Sequence, residues 1–488
     1  MTAAALSKSP LTTNKWLALA TTSVGTLMST LNNSIVNIAN PIMAESFQVS
    51  MAQVQWVSTI YLIVTSSMML LFGRLGDRVG SHRVYIAGIA IFTAGSLSCA
   101  LFDSFGPLLI ARAVQAIGAS MAVAVGMGLV ATIFPISQRG RAMGITVLMV
   151  GLGNVTGPAV GGLVLAVASW HYIFLLSVPL GLVTFIMAAL WLRSPLPRNR
   201  EISLGLGSSV VFAGAIASLI VFMSASFEGH LWFGLVFLIF LAILVLGERY
   251  QKHPLLPPAL LRNRRFIIGN LLALMAYCAF MMLVFQLPFF LNTVWAIPVG
   301  TMGVLMTVSS LTLAVCGPVS GFVADRFGAS KVMLPALFVL FAGICLAFFL
   351  SADLSFGLFI AIMVLGGAGM GFFNTPNNSD IMTAAGREYS SFASGFVGTN
   401  RNLGFCIGTA LSAGVFSLGT ADTLGFLAMP VKGTGATLIS EHLFSFSLVI
   451  CMCLLIVSVC IVLCLYLLST TKTQKTTPEQ LLDAQPKS

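Results

Sequence analysis

Two arginines stand inside apolar stretches that hold no other charge, Arg112 within 107–134 and Arg401 within 392–418. An arginine inside a bilayer costs about 2.5–3.5 kcal/mol on insertion scales, so it faces a wet cavity, a partner or the headgroups. Arg112 lies near one end of its stretch, and two readings stand: a place in a cavity, or snorkelling to the headgroups. Gln115, one turn on, shares its face or its hydrogen bonds. Arg401 is too deep for easy snorkelling. Asp380, in the polar run 374–380, is a candidate partner for it. A salt bridge, a gate and a substrate contact all fit that pair.

The first apolar stretch carries amides instead of charges. Asn33, Asn37 and Asn40 are spaced four and three apart and share a helical face, while Asn32 lies about 100 degrees around the helix. Interhelical hydrogen bonding and cavity lining both account for such a stripe.

These residues need elements to hold them, and composition says which. Hydrophobic residues make up 58% of the 488 and charged ones 8%, where a soluble domain carries about 25% charged residues. Fourteen apolar stretches approach membrane-spanning length: 16–39, 54–72, 84–102, 107–134, 142–168, 172–192, 204–225, 231–247, 267–291, 301–323, 332–351, 355–377, 392–418 and 444–468. The net charge of +10 is distributed by side. Nearly all Lys and Arg fall in the tails and in the loops of one side, and Lys432 stands alone on the other, with Glu45, Asp103, Glu228, Asp353, Asp422 and Glu441. This positive-inside asymmetry puts both termini in the cytoplasm and removes the nucleic-acid reading of the basicity. The first stretch is too long for a signal core and has no cleavage pattern behind it. The nine cysteines sit within apolar stretches without metal-ligand spacing, so no disulfide framework and no metal site is expected.

A polar motif, Gly-x-aliphatic-x-Asp-Arg-x-Gly, occurs twice, about half a chain length apart. Gly73, Asp77, Arg78 and Gly80 form the first copy; Gly321, Asp325, Arg326 and Gly328 form the second. The glycines permit a tight connection and close helix approach, and each carboxylate can cap a helix N-terminus or pair with an arginine. Two copies in register mean an internal duplication, the way secondary transporters are built, with the substrate site between the repeats. The eight stretches separating the copies fit six-helix halves with two extra helices between them. The expected division is 1–200 for the first bundle, 201–250 for the inserted helices 7–8, 251–265 for a cytoplasmic linker, 266–470 for the second bundle and 471–488 for a cytoplasmic tail. The basic, Pro-rich runs around 193–200 and 249–265 mark the linkers. The Gly/Thr-rich segment 419–443 reads as a long external loop.

The repeated motif is similar to the cytoplasmic loop signature of the major facilitator superfamily. Further features resemble its fourteen-helix branch, the drug:proton antiporter-2 family. These are Gln55, Trp56 and Tyr61 at the start of stretch 2; Arg112, Gln115 and Gly118 in stretch 4; and Gly144, Gly153, Gly157, Pro158, Gly161 and Gly162 in stretch 5. Trp170 to Phe174, with Pro179 and Gly181, is a weaker match. The resemblance implies an all-α polytopic membrane protein with the major facilitator fold: two six-helix bundles plus two inserted helices, fourteen transmembrane helices in all, in the cell membrane and as a monomer. It implies multidrug efflux by proton antiport, with Arg112 in proton and substrate coupling and the stretch 5 glycines sealing the cavity. Those glycines permit close packing, and Pro158 a kink.

One departure bears on mechanism. Where that branch carries an aspartate in stretch 1, this chain has Asn32. An amide can neither carry a proton nor counter a cationic drug. The sequence therefore supports an exporter of amphipathic organic compounds and, beside it, a proton-independent facilitator or exchanger for a neutral or anionic metabolite. Asn32, Asn33, Asn37, Arg112, Gln115 and Arg401 are the expected cavity residues, and 36 Phe and 23 Met can supply an adaptable apolar pocket. The scattered histidines at 82, 171, 230, 253 and 442 form no cluster for acid–base or metal chemistry, so neither an enzyme nor a cofactor is expected.

Overall fold

The computed structural model describes residues 14–49, 51–192, 205–223, 230–250, 257–297, 299–353, 355–419 and 435–475, and within helices the side chains of Asn37 and Pro158 fall outside that description. The first Pro-rich linker, residues 251–256 of the second, most of the 419–443 segment with Lys432, and the end of the tail also lie outside it, whereas the second linker from Pro257 onward is described and holds a short helix over Pro258–Arg262. The long helices are α1 (Lys15–Phe47), α2 (Trp56–Val79), α3 (Ser81–Leu101), α4 (Phe105–Ile133), α5 (Ile136–Val167), α6 (Ser177–Trp191, after a helical turn His171–Leu175), α7 (Leu206–Met223), α8 (His230–Tyr250), α9 (Arg264–Thr293), α10 (Val299–Phe327), α11 (Ala329–Ala347), α12 (Phe356–Ala385), α13 (Ser390–Gly419) and α14 (Gly435–Lys475).

Ten spans among the described residues are long and apolar enough to cross a membrane, by length and composition. The inserted pair α7 and α8 supplies only shorter apolar helices. α1 and α13 are also outside the ten, because both carry runs of Ser, Thr and Asn that face other helices. A helix satisfies its own backbone groups, which is why apolar runs fold this way where water is absent.

Several helices outrun their apolar stretches. α1 continues to Phe47, α12 continues through the polar run to Ala385, and α14 begins at Gly435, inside the segment expected as loop. Hydropathy reports transfer into lipid, whereas a helix ends where its hydrogen bonding ends. In α12 the polar run stays helical because its amides bond within the protein: Asn377 Nδ2 donates to the Gly269 carbonyl at 3.1 Å, and Asn378 Nδ2 to Asn374 Oδ1 at 2.9 Å.

Packing repeats when the helix number is advanced by eight. α1 against α5 recurs as α9 against α13, α2 against α4 as α10 against α12, α3 against α4 as α11 against α12, and α3 against α6 as α11 against α14. Between the two groups the principal seams are α5 with α10 and α2 with α13, which the same operation exchanges. α7 packs on α2 and α13 and so lies over one seam, with α8 packed on α7. A bridging hydrophobic cluster at the end carrying the motifs joins Leu70, Val130, Phe134 and Met143 to Phe266, Ile381, Met382 and Phe392.

The last glycine of each motif is the whole connection between two helices. Gly80 joins α2 to α3 at φ 104°, and Gly328 joins α10 to α11 at φ 94°. Side chains other than hydrogen rarely tolerate that conformation, at about 1–3 kcal/mol each. A Cβ on Gly328 would have nothing within 4 Å, so Gly328→Ala isolates the backbone contribution. Its apparent melting temperature in detergent should fall below that of the native protein, and an unchanged value would mean the turn relaxes freely.

Candidate functional site

A cavity of about 1440 Å³ lies between the two helix groups, walled by α1, α2, α4 and α5 on one side and α9, α10, α12 and α13 on the other. Its wall mixes hydroxyls and amides, such as Asn33, Thr65, Asn154, Asn374 and Asn402, with Met and Phe side chains. Among the described residues Arg401 is its single charged group, and no Asp or Glu reaches it.

Arg112, grouped with the cavity from sequence, does not stand in its wall. Asn32 and Gln115 are absent from the wall as well. All three are buried and joined in one network. The Arg112 Nε–H donates to the Val57 carbonyl at 3.1 Å, and Nη1 donates to Asn32 Oδ1 at 2.9 Å and to Gln115 Oε1. Gln115 Nε2 passes the chain on to Ser96 Oγ, and Asn32 Nδ2 donates to Ser177 Oγ at 3.2 Å. The Tyr61 ring lies 4.4 Å from the guanidinium carbon and itself lines the cavity, so it screens the arginine from that space. Phe174 faces the guanidinium at 5.6 Å. Snorkelling is thereby excluded: the side chain turns inward with 0% exposure. Asn33, adjacent to Asn32, points the other way, into the cavity.

The two motif carboxylates make the same contact in each copy. Asp77 accepts from the backbone N–H groups of Ser391 and Phe392 at 2.9 Å each, in the first turn of α13. Asp325 accepts from the N–H groups of Gly140 and Arg141 at 2.8 and 2.9 Å, near the start of α5. Each carboxylate therefore crosses a seam and meets main-chain N–H groups of the opposite group, Asp77 in the first turn of α13, where the dipole favours negative charge, and Asp325 in the second turn of α5. The first motif glycine makes the approach possible. A Cβ on Gly73 would fall 2.7 Å from the Ser391 carbonyl oxygen, and one on Gly321 2.2 Å from that of Gly140. Arg78 is half-buried and Arg326 exposed, its guanidinium 5.5 Å from the Phe327 ring.

The stretch 5 glycines serve two neighbours. Gly144 meets the backbone of Gly317 and Pro318 on α10; Gly153 and Gly157 meet Thr30 and Ser34 on α1, with Gly161 in ordinary contact with Ile35. Gly162 has open space before it and lines the cavity. Close contact along the α5–α10 seam is seen at Gly140, Gly144 and Gly151, towards the motif end.

Asp380 does not meet Arg401: the positive charge acting on it is Arg265, and no ion pair joins Asp380 to Arg401 among the described residues. Other participants were not singled out from the sequence. Arg74, in a variable position of the first motif copy, is buried with its guanidinium 5.3 Å from the Phe392 ring across the seam. Tyr277, on α9, donates to Asn374 Oδ1 at 2.6 Å, and Asn402 Nδ2 donates to Ser66 Oγ at 3.0 Å. Tyrosines and asparagines within apolar helices were the available clue, and their partners come from other helices.

The family model of the Major Facilitator Superfamily matches residues 22–409 and, in a second match, 270–487. The chain is 34% identical to the riboflavin transporter RibZ of Clostridioides difficile (strain 630), over 83% of this chain and 88% of that protein. It is 28% identical to the tetracenomycin C resistance and export protein of Streptomyces glaucescens, over 81% of this chain and 75% of that one. The crystal structure of the human organic anion transporter MFSD10 (TETRAN) superposes with a TM-score of 0.65 at 16% identity, covering 91% of this chain and 100% of that one, which is a likeness of fold.

Proposed function

Because this chain belongs to the Major Facilitator Superfamily, we propose that it moves a neutral or anionic amphipathic organic compound across the cell membrane by alternating access, as a facilitator or exchanger without proton coupling. The observation that carries this reading is the cavity wall, in which a cation and no carboxylate is found among the described residues. Two six-helix bundles, α1–α6 and α9–α14, rock about that cavity, and α7–α8 complete fourteen spans. The motif end is assigned to the cytoplasm because the basic residues gather there. The cavity is then closed to the cytoplasm by the bridging cluster and the two carboxylate contacts, and open outward.

Proton-driven drug export is the second reading. The stretch 5 glycines, seated against both α1 and α10, favour it, as does similarity to the tetracenomycin C exporter. Against it stands Asn32, the partner of Arg112, which cannot titrate.

Flux in proteoliposomes separates the two readings. Riboflavin, for which the similar RibZ is named, is the first compound to use, followed by dansyl amino acids. Flux down the substrate gradient should exceed that of empty liposomes and continue after an ionophore collapses the pH gradient. Flux that stops on collapse would establish the second reading. Asn32→Asp, which places an acid at the Arg112 guanidinium, should make flux respond to a pH gradient where the native protein does not.

A further inference from the structure

We propose that the transported compound carries a negatively charged group and that Arg401 receives it, at a pole of the cavity formed with Tyr277, Asn374 and Asn402. The inference rests on the transport reading and sharpens it from a neutral or anionic substrate to an amphipathic anion with a stated docking point.

The first argument is the missing counter-charge. A guanidinium held between membrane helices needs an anion or a full set of acceptors. Arg401 is half-buried in the cavity wall, and no Asp or Glu stands within ion-pair distance of it among the described residues. The acid nearest to hand in the sequence, Asp380, makes no ion pair with Arg401 among the described residues.

The second argument is that one neighbouring acceptor, the amide oxygen of Asn374, is already taken. Asn374 Oδ1 receives both the Tyr277 hydroxyl at 2.6 Å and Asn378 Nδ2 at 2.9 Å, so its two lone pairs are filled. That amide oxygen therefore cannot also serve the guanidinium, and a ligand can. Arg112 offers no alternative, since it is screened behind Tyr61 and bonded to Asn32 and Gln115.

The third argument is the rest of the compound. Phe280, Phe405, Met281 and Met306 line the same space, and the Phe405 ring stands edge-on to Tyr277 with centroids 5.3 Å apart. An aromatic body fits there while its anionic group meets Arg401.

Three probes with one body test this: dansylglycine (anionic), dansylglycinamide (neutral) and dansylethylenediamine (cationic). Affinity is read by energy transfer from the protein's tryptophans, and flux of the same probes is read in proteoliposomes. The native protein should hold the anion about tenfold to a hundredfold more tightly than the neutral probe, the range of a charge-assisted hydrogen bond. Arg401→Gln should level the three affinities, and Arg401→Lys should keep part of the preference. Asn374→Asp, which sets a negative charge into the same pole, should also abolish it and carries the test if Arg401→Gln does not fold. Equal native affinities, a preference for the cation, or a preference surviving either charge-changing variant would overturn the proposal. If the neutral probe moves but the anion gains nothing, the docking point falls and the transport reading stands. If none of the three, nor riboflavin, moves beyond empty liposomes, the transport reading falls as well.

Discussion

Asparagine at both Asp77 and Asp325 should release the motif end of the protein. Each carboxylate accepts two backbone N–H groups across a seam, and an amide can accept from one while presenting its own N–H to the other. A hydrogen bond to a charged group contributes about 1.5–3 kcal/mol, and partial exposure of both aspartates reduces that to about 1–2 kcal/mol per site. The sites share no partner, so the losses add to about 2–4 kcal/mol, a shift of roughly 30- to 1000-fold in the ratio of closed to open motif ends. A cysteine at Val397, buried in the bridging cluster, reports the change. Its maleimide labelling from the motif side, followed by mass spectrometry, should accelerate strongly in the double variant and more modestly in each single one. A labelling rate equal to that of the native background would mean the carboxylates do not hold this end shut.

Replacing Arg112 with methionine should be among the most destabilising single changes in the chain. The variant keeps an unbranched apolar stem but removes the guanidinium, leaving Asn32 Oδ1 and Gln115 Oε1 without their donor and the Val57 carbonyl with its helical partner alone. Unsatisfied buried acceptors cost about 1–3 kcal/mol each, and a loss of about 3–5 kcal/mol is expected. Removing the stranded acceptors as well, with Asn32→Leu and Gln115→Leu, should recover part of that loss, since apolar replacement of both partners is far less costly than orphaning one. Unfolding in detergent, followed by loss of monodisperse protein with temperature, gives the comparison. A melting temperature for Arg112→Met close to that of a lipid-facing substitution would show the network to be incidental.

The helices and their duplication were legible in the sequence because both depend on local properties: apolarity over a span, and a motif repeated in register. The amides of α1 were visible for the same reason. What each of them does was not. Asn32 and Asn33 are neighbours in sequence, yet one bonds Arg112 and the other lines the cavity. Spacing gives the angle between side chains on one helix and says nothing of which helix lies opposite. The same gap hid Tyr61 as the screen over Arg112 and left Asp380 as a partner for Arg401, when Arg265 is the charge beside it. Polar side chains in 374–380 suggested the end of a helix, but their hydrogen bonds to Gly269 and Tyr277 keep the run inside α12.

The two aspartates grip main chain, not side chains, and this shapes how the protein can drift over generations. Ser391 and Phe392 have nothing in common with Gly140 and Arg141, yet they serve as equivalent receivers, because every residue except proline presents the same N–H. Mutational change at the receiving positions is therefore filtered chiefly for bulk and for proline, while the aspartates themselves admit no substitute of equal charge and reach. Correlated substitution between the two ends of either clasp is not expected, so comparing many relatives would leave this contact invisible although it spans the molecule's midline.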